Sequence, residues 1–267
     1  KTITGTQEMI PGITNGSIKY YINNKEQSMY VENNGKYYLD KNHSHLKKDL
    51  IGFIPQDPRS FLNPFWTLEK LFTQTYELKK RKIGLHEFME KYLKQAGIIS
   101  NKKSEHKKKE SLKDFVHKFP GQLSGGQAQR VMIALVLSKE PKLIVADEST
   151  TGLDVSNQKI VIETFNNIRS SNSKITMIFI SHDFGFLSHV VDEYYVLYGG
   201  FICEHITDKK QFFNPENLHP YTQDLISSLK PKDNDDIIDE LSASADFSKE
   251  LTACPYYEEC DFKNLND

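Results

Sequence analysis

An α/β fold built on a parallel sheet is what this chain of 267 residues predicts, and three stretches carry the prediction. Leu143-Ile144-Val145-Ala146 is an apolar run without alternation, as expected of a strand covered on both faces. A second apolar run occupies residues 175–180, and between the two Val161, Phe165 and Ile168 recur on one face of a helix. Strand, helix and strand in that order imply parallel neighbours. The runs end in Asp147-Glu148 and in Ser181-His182-Asp183. Ligands of open α/β sheets sit beyond the carboxyl ends of the strands, so neighbouring strands would bring Asp147, Glu148 and His182 to one cleft.

A hydrophobic content of 38% is ample for a core, in one large domain or two small ones. With 34 basic and 36 acidic residues there is no bulk field to favour nucleic acid or an anionic membrane. Three cysteines and the lack of a secretory leader lead to the expectation of a reducing, cytoplasmic compartment. No apolar run approaches the roughly 18 to 20 residues of a membrane span, so any membrane link is expected through a partner.

Taken in order, the chain opens on Lys1-Thr2-Ile3-Thr4-Gly5 and a short helix stopped at Pro11 and Gly12. Lys-Thr at a helix start matches the last two residues of a phosphate-binding P-loop, although alone it is an ordinary dipeptide. Residues 17–22, then Met29-Tyr30-Val31, an Asn34-Gly35 turn and Tyr37-Tyr38-Leu39, read as an antiparallel patch. A further short strand, Ile51-Gly52-Phe53-Ile54, delivers Gln56 and Asp57; Gln56 by itself reads as a polar loop residue. Residues 57–140 turn helical, with Leu68, Leu71 and Phe72 and later Phe88, Tyr92 and Leu93 at helical spacing. Residues 101–113 hold six lysines but no interleaved aromatic, and Glu105 and Glu110 dilute them. A solvated loop is therefore expected there rather than a nucleic-acid surface.

Ser124 with Gln127 three residues on is a capping box that opens a helix. Gly125 and Gly126 are not needed for a cap, and each costs about 1 kcal/mol against alanine inside a helix. Bare backbone N–H groups at the positive end of a helix admit an anion closely, so Ser124, Gly125, Gly126 and Gln127 form a candidate phosphate clamp. Past Glu148, residues 149–154 are rich in turn formers. Residues 194–197, the Gly199-Gly200 turn and residues 201–204 read as a hairpin. A helix through Leu225, Ile226 and Leu229 and an acidic linker follow, and the tail carries Cys254 and Cys260.

Gln56 after a strand, Leu123-Ser124-Gly125-Gly126-Gln127, the strand ending in Asp147-Glu148, Thr151-Gly152-Leu153-Asp154 and His182 together resemble the ATP-binding subunit of an ABC transporter, in order and spacing up to Glu204. Pro55-Gln56-Asp57-Pro58 with Leu62-Asn63-Pro64, and His219-Pro220-Tyr221-Thr222 before a cysteine-bearing tail, are similar to its oligopeptide, dipeptide and nickel importer branch. The resemblance implies a P-loop NTPase (RecA-like) core with a mixed parallel sheet, an antiparallel β patch and a helical subdomain. Residues 1–56 would be the rest of the N-terminal core and the patch, and 57–140 the helical subdomain ending in the signature motif. Residues 141–205 would be the core with Walker B, the D-loop and the switch histidine, and 206–267 a C-terminal extension. Lys1 and Thr2 would close a Walker A loop that begins upstream, so the chain as it stands is expected to bind ATP poorly.

The same resemblance implies the chemistry. ATP and Mg2+ are the expected ligands, with Lys1 on the β/γ-phosphates and Thr2 and Asp147 on the metal, Asp147 through water. Gln56 would contact the metal or the attacking water, Glu148 would be the general base and His182 would stabilise the γ-phosphate. The Ser124–Gln127 turn would clamp the ATP of a second ATPase subunit, in a homodimer or heterodimer, with Asp154 bridging the two. Two permease subunits would dock on the helical subdomain near residues 59–66, at the cytoplasmic face of the membrane, and a solute-binding protein would act indirectly. Cys254 and Cys260 match only the start of a pattern that in some relatives holds an iron–sulfur cluster, so plain buried thiols are expected. A soluble ABC ATPase outside transport and a non-hydrolysing partner of a heterodimer stay open as alternatives.

Overall fold

The computed structural model describes residues 16–22, 25–33, 36–40, 50–78, 82–99, 112–171, 175–228, 254–256 and 260. Lys1, Thr2, the expected N-terminal helix, the Asn23-Asn24 and Asn34-Gly35 turns, residues 101–111 of the lysine-rich stretch and the acidic linker lie outside the described residues. Two compact units divide the chain, Lys1–Val190 and Val191–Asp267.

In the first unit β1 (Lys19–Ile22) pairs antiparallel with β2 (Lys25–Ser28), and β3 (Tyr30–Asn33) with β4 (Lys36–Leu39). Met29 joins the hairpins: its N–H donates to the Ile18 carbonyl at 2.8 Å and its carbonyl accepts from Asp40 N at 2.9 Å. Beneath, Met29, Tyr30 and Ile51 form a small core with Ile18, Tyr20, Tyr37 and Leu143 around it. Burial there pushes the Tyr20 hydroxyl up to about 12. β2 has no sequence signature, because Lys-Glu-Gln-Ser lacks apolar alternation. Its partner strand defines it: Glu26 faces Tyr21, accepts its hydroxyl at 2.7 Å and pairs with Lys19 at 2.9 Å.

The parallel sheet is β5 (Ile51–Ile54), β6 (Leu143–Asp147) and β7 (Thr176–Ile180), in the order β5-β6-β7. β6 lies in the middle, which buries Ile144, Val145 and Ala146 as the unalternating run predicted. β7 differs. Its Thr176, Ile178 and Ile180 are exposed while Met177 and Phe179 are half-buried, since it is the edge of the described sheet and is packed on one face. An apolar residue at nearly every position concealed that alternation.

The helical stretch resolves into α1 (Pro58–Phe61), α2 (Leu68–Leu78), α3 (Leu85–Gln95), α4 (Leu112–Val116) and α5 (Gly125–Ser138). α2 buries Leu68 and Phe72, and α3 buries Phe88, Met89, Tyr92 and Leu93. Phe88 meets Tyr76 and Tyr92 edge-on, with ring centroids 5.4 and 5.0 Å apart. Trp66 is half-buried, under the Lys70 ammonium at 4.8 Å. α5 packs against α1, α2, α3 and β5 and is buried over most of its surface. Gly52 permits that approach: a Cβ there would lie 2.4 Å from Val136 Cγ1. α6 (Val155–Ser171) and α7 (Phe184–Val190) cover β7 through an edge-on triangle of Phe165, Phe179 and Phe186.

The second unit is built on the hairpin β8 (Tyr194–Tyr198) and β9 (Phe201–Ile206). Gly199 and Gly200 take φ of 58° and 85°, positive at both central residues, as a type I′ turn requires. Tyr194, Val196 and Tyr198 face inward, and α8 (Pro220–Ser228) follows. Tyr198, Tyr221 and Tyr256 form a ring cluster. Cys254 is exposed and Cys260 half-buried, unlike the buried thiols expected, and Cys254 Sγ lies at the surface 3.4 Å from His219 Nε2.

Candidate functional site

Glu148 follows β6, and the parallel ladder extends one residue to reach it: its N–H donates to the Ile180 carbonyl at 2.8 Å. There the chain turns, with Glu148 at φ 42°. A side chain in that left-handed region costs roughly 1 to 3 kcal/mol and persists only where the surroundings hold it. What holds it is visible around the carboxylate. Gln56, beyond β5, donates Nε2 to Oε2 at 2.7 Å, and the Thr151 hydroxyl donates to the same oxygen at 3.2 Å. His182, beyond β7, places Nδ1 3.2 Å from Oε1.

Three strand ends therefore converge on one carboxylate. A carboxylate has about four lone-pair sites, so the three donors leave room for a further one, such as a water O–H. Asp147, the last residue of β6, is half-buried and in register with Ile180. Asp183 caps α7 through Phe186 N at 2.9 Å and accepts from Gln158 Nε2 at 2.5 Å, which fixes the segment that carries His182.

The start of α5 forms a second cluster. Ser124 Oγ accepts from Gln127 N at 3.2 Å and Gln127 Oε1 accepts from Ser124 N at 3.0 Å, a reciprocal capping box. The two glycines have different surroundings. Nothing lies within 4 Å of a Cβ built on Gly125, whereas one on Gly126 would lie 2.6 Å from Asn157 Cγ. Ser124→Ala removes the bond from Gln127 N to Ser124 Oγ, while the backbone N–H of residue 124 can still donate to Gln127 Oε1, and is expected to lower stability by about 1 kcal/mol. Urea unfolding of the wild type and variant checks this, with an unchanged midpoint as the contrary result.

Asp154 caps α6. Asn157 N donates to Oδ1 at 2.9 Å and Asn157 Nδ2 to Oδ2 at 2.6 Å. The backbone bond, followed by the side-chain bond, holds this exposed carboxyl below the usual range. A cleft of ≈ 270 Å³ separates the two clusters, bordered by Gln56 and Arg59, by Gly125 and Gln129, and by Thr151 and Leu153. Arg59 donates to the Leu123 carbonyl.

Of the residues read from the sequence, Gln56, Glu148 and His182 are in direct contact and Asp147 adjoins them in the chain. Ser124, Gly125, Gly126 and Gln127 form the neighbouring helix start, and Asp154 caps α6. Lys1 and Thr2 lie outside the described residues. Sequence reasoning had Thr151 in the loop motif but gave it no part in the site, and it missed Asn157. Asn157 did leave a signal, since Asp-x-x-Asn at a helix start is a capping spacing.

Residues 1–151 match the family described as ABC transporter. The chain is 31% identical over 233 residues to the oligopeptide transport ATP-binding protein AppD of Bacillus subtilis (strain 168), a match covering 86% of this chain and 63% of that protein. It is 31% identical over 199 residues to the dipeptide transport ATP-binding protein DppD of Caldanaerobacter subterraneus subsp. tengcongensis, covering 74% of this chain and 54% of the other. The chain thus spans between 54% and 63% of the length of these curated relatives. In structure it is similar to the dimeric ATP-binding cassette MJ0796 bound to ADP and Pi, with a TM-score of 0.52 and 22% identity over 71% of this chain and 72% of that one. At that identity the likeness shows the fold alone, that of an α/β ATP-binding cassette.

Proposed function

This chain belongs to the ABC transporter family, and from that premise we propose that it is the ATP-hydrolysing subunit of an importer of peptides or a metal chelate. The observation that carries the reading is the Glu148 carboxylate, held by Gln56, Thr151 and His182 with an acceptor site to spare. The names of AppD and DppD support the peptide class.

The residues present suit the ligands that this reading needs. Open space at Gly125 suits a phosphate at a helix start, and Asp147 at the carboxyl end of β6 suits a hard cation with oxygen ligands. Magnesium, when bound, would neutralise phosphate charge; Thr2 and Asp147 would hold it and Lys1 would reach the phosphates. Glu148 then orients the attacking water and takes its proton. Gln56 and Thr151 hold Oε2, which keeps the carboxylate from rotating; Gln56 Oε1 is left for the metal or the water. His182, when it carries a proton on each ring nitrogen, would donate one to Glu148 and the other to the γ-phosphate.

Ser124, Gly125, Gly126 and Gln127 would serve an ATP carried by a second ATPase subunit, bridged by Asp154. No helix among the described residues is long and apolar enough to cross a membrane. A permease would supply the membrane contact, and the exposed rings of Phe61, at the end of α1, and Phe65, between α1 and α2, support docking on that face. The test is uptake of labelled oligopeptide and of chelated nickel by vesicles holding the full-length protein with its permease. ATP-dependent uptake of either is expected. Hydrolysis unaffected by permease and without uptake of either would overturn the importer reading.

A further inference from the structure

Asn157 has no part in the chemistry above, yet it touches both halves of the site. Its own N–H and its Nδ2 occupy the two oxygens of Asp154, at 2.9 and 2.6 Å. Asp154 ends the turn that starts at Glu148, and that turn is braced internally: Thr151 N donates to the Glu148 carbonyl at 3.1 Å and Leu153 N to the Thr150 carbonyl at 3.2 Å. On its other side the Asn157 amide lies against the Cα of Gly126, where an added Cβ would come within 2.6 Å of Cγ and Oδ1 and 3.0 Å of Nδ2. Arg130 Nε, one helical turn on, donates to the Gly126 carbonyl at 3.1 Å and steadies the same turn of α5. The first turn of α5 and the loop carrying the base thus meet through one side chain.

We propose that Asn157 is a positioning residue, which sets the first turn of α5 against the loop that carries Glu148. The two glycines then divide their work. Gly125 leaves room for a phosphate, and Gly126 leaves room for Asn157. Asparagine suits the place because its amide is flat enough to lie against Gly126 while donating to Asp154. Aspartate would set a like charge against Asp154, and alanine would leave a gap. The proposal rests on the ATPase reading.

The experiment compares wild type, Gly126→Ala, Asn157→Ala and the double variant in the full-length protein, by kcat and KM for ATP and by Tm. Gly126→Ala is expected to lower kcat about 100-fold, the scale of a misplacement near 1 Å, and Asn157→Ala about 10-fold with KM little changed. The double variant should return to the Asn157→Ala level, because the added Cβ then occupies vacated space. A double variant no better than Gly126→Ala overturns the proposal, as does recovery of Tm without recovery of kcat. Should Gly126→Ala fail to fold, Asn157→Asp decides: a fall in kcat at unchanged KM supports the role, and full kcat overturns it. A wild type that does not hydrolyse ATP overturns the ATPase reading and the positioning role with it. A wild type that hydrolyses without such coupling overturns the positioning role alone.

Discussion

Glu148→Gln in the full-length protein leaves ATP binding intact and lowers turnover by roughly 10² to 10⁴-fold, the range assigned to a general base. The substitution keeps shape and volume. An amide oxygen at the Oε2 position still accepts from Gln56 and Thr151, whose donors stand at 2.7 and 3.2 Å. What is lost is the ability to take a proton, together with the acceptor that His182 Nδ1 meets at Oε1, so the expected effect of about 3 to 5 kcal/mol falls on the chemical step and not on binding. Nucleotide binding by equilibrium dialysis, with phosphate release in the same preparation, separates the two. If most of the turnover survives, Glu148 is not the base.

Phe165→Ala removes an edge-on ring contact between α6 and β7, and a loss of about 3 to 5 kcal/mol is expected. Phe165 is fully buried, with ring centroids 4.8 Å from Phe179 and 6.4 Å from Phe186. These side chains hold the edge strand and α7 in place, and the segment with His182 runs between them. Since a domain is stable by only about 5 to 15 kcal/mol, the variant should unfold at much lower urea. Phe165→Leu, which keeps most of the volume, should cost under about 1.5 kcal/mol. Equal midpoints for wild type and Phe165→Ala would mean that the ring triangle contributes nothing.

Local chemistry was legible wherever a short run of residues is enough. The capping box at Ser124 and Gln127, the hairpin turn at Gly199 and Gly200 and the buried run of β6 each follow from a few neighbouring residues, and each stands in the structure as read. The meeting of Glu148 and His182 was also accessible, because strand ends in a parallel sheet share one edge, whereas Gln56 reads alone as a polar loop residue and was placed there only by the family resemblance. β2 was not accessible: its Lys-Glu-Gln-Ser is a strand only because Tyr21 and Lys19 lie across from Glu26.

By itself the sequence determined the α/β alternation, the helix starts and the positions of the chemistry-bearing residues, since these depend on periodicity and on groups within a turn of one another. Which of two adjacent glycines faces open space, which hydroxyl joins Gln56 on Glu148, and which face of β7 is covered were decided only by the tertiary structure. Each of these depends on atoms brought together from distant parts of the chain. For Gly125 and Gly126 the deciding group is Asn157, 31 residues beyond Gly126 in the sequence and in contact with it in the fold.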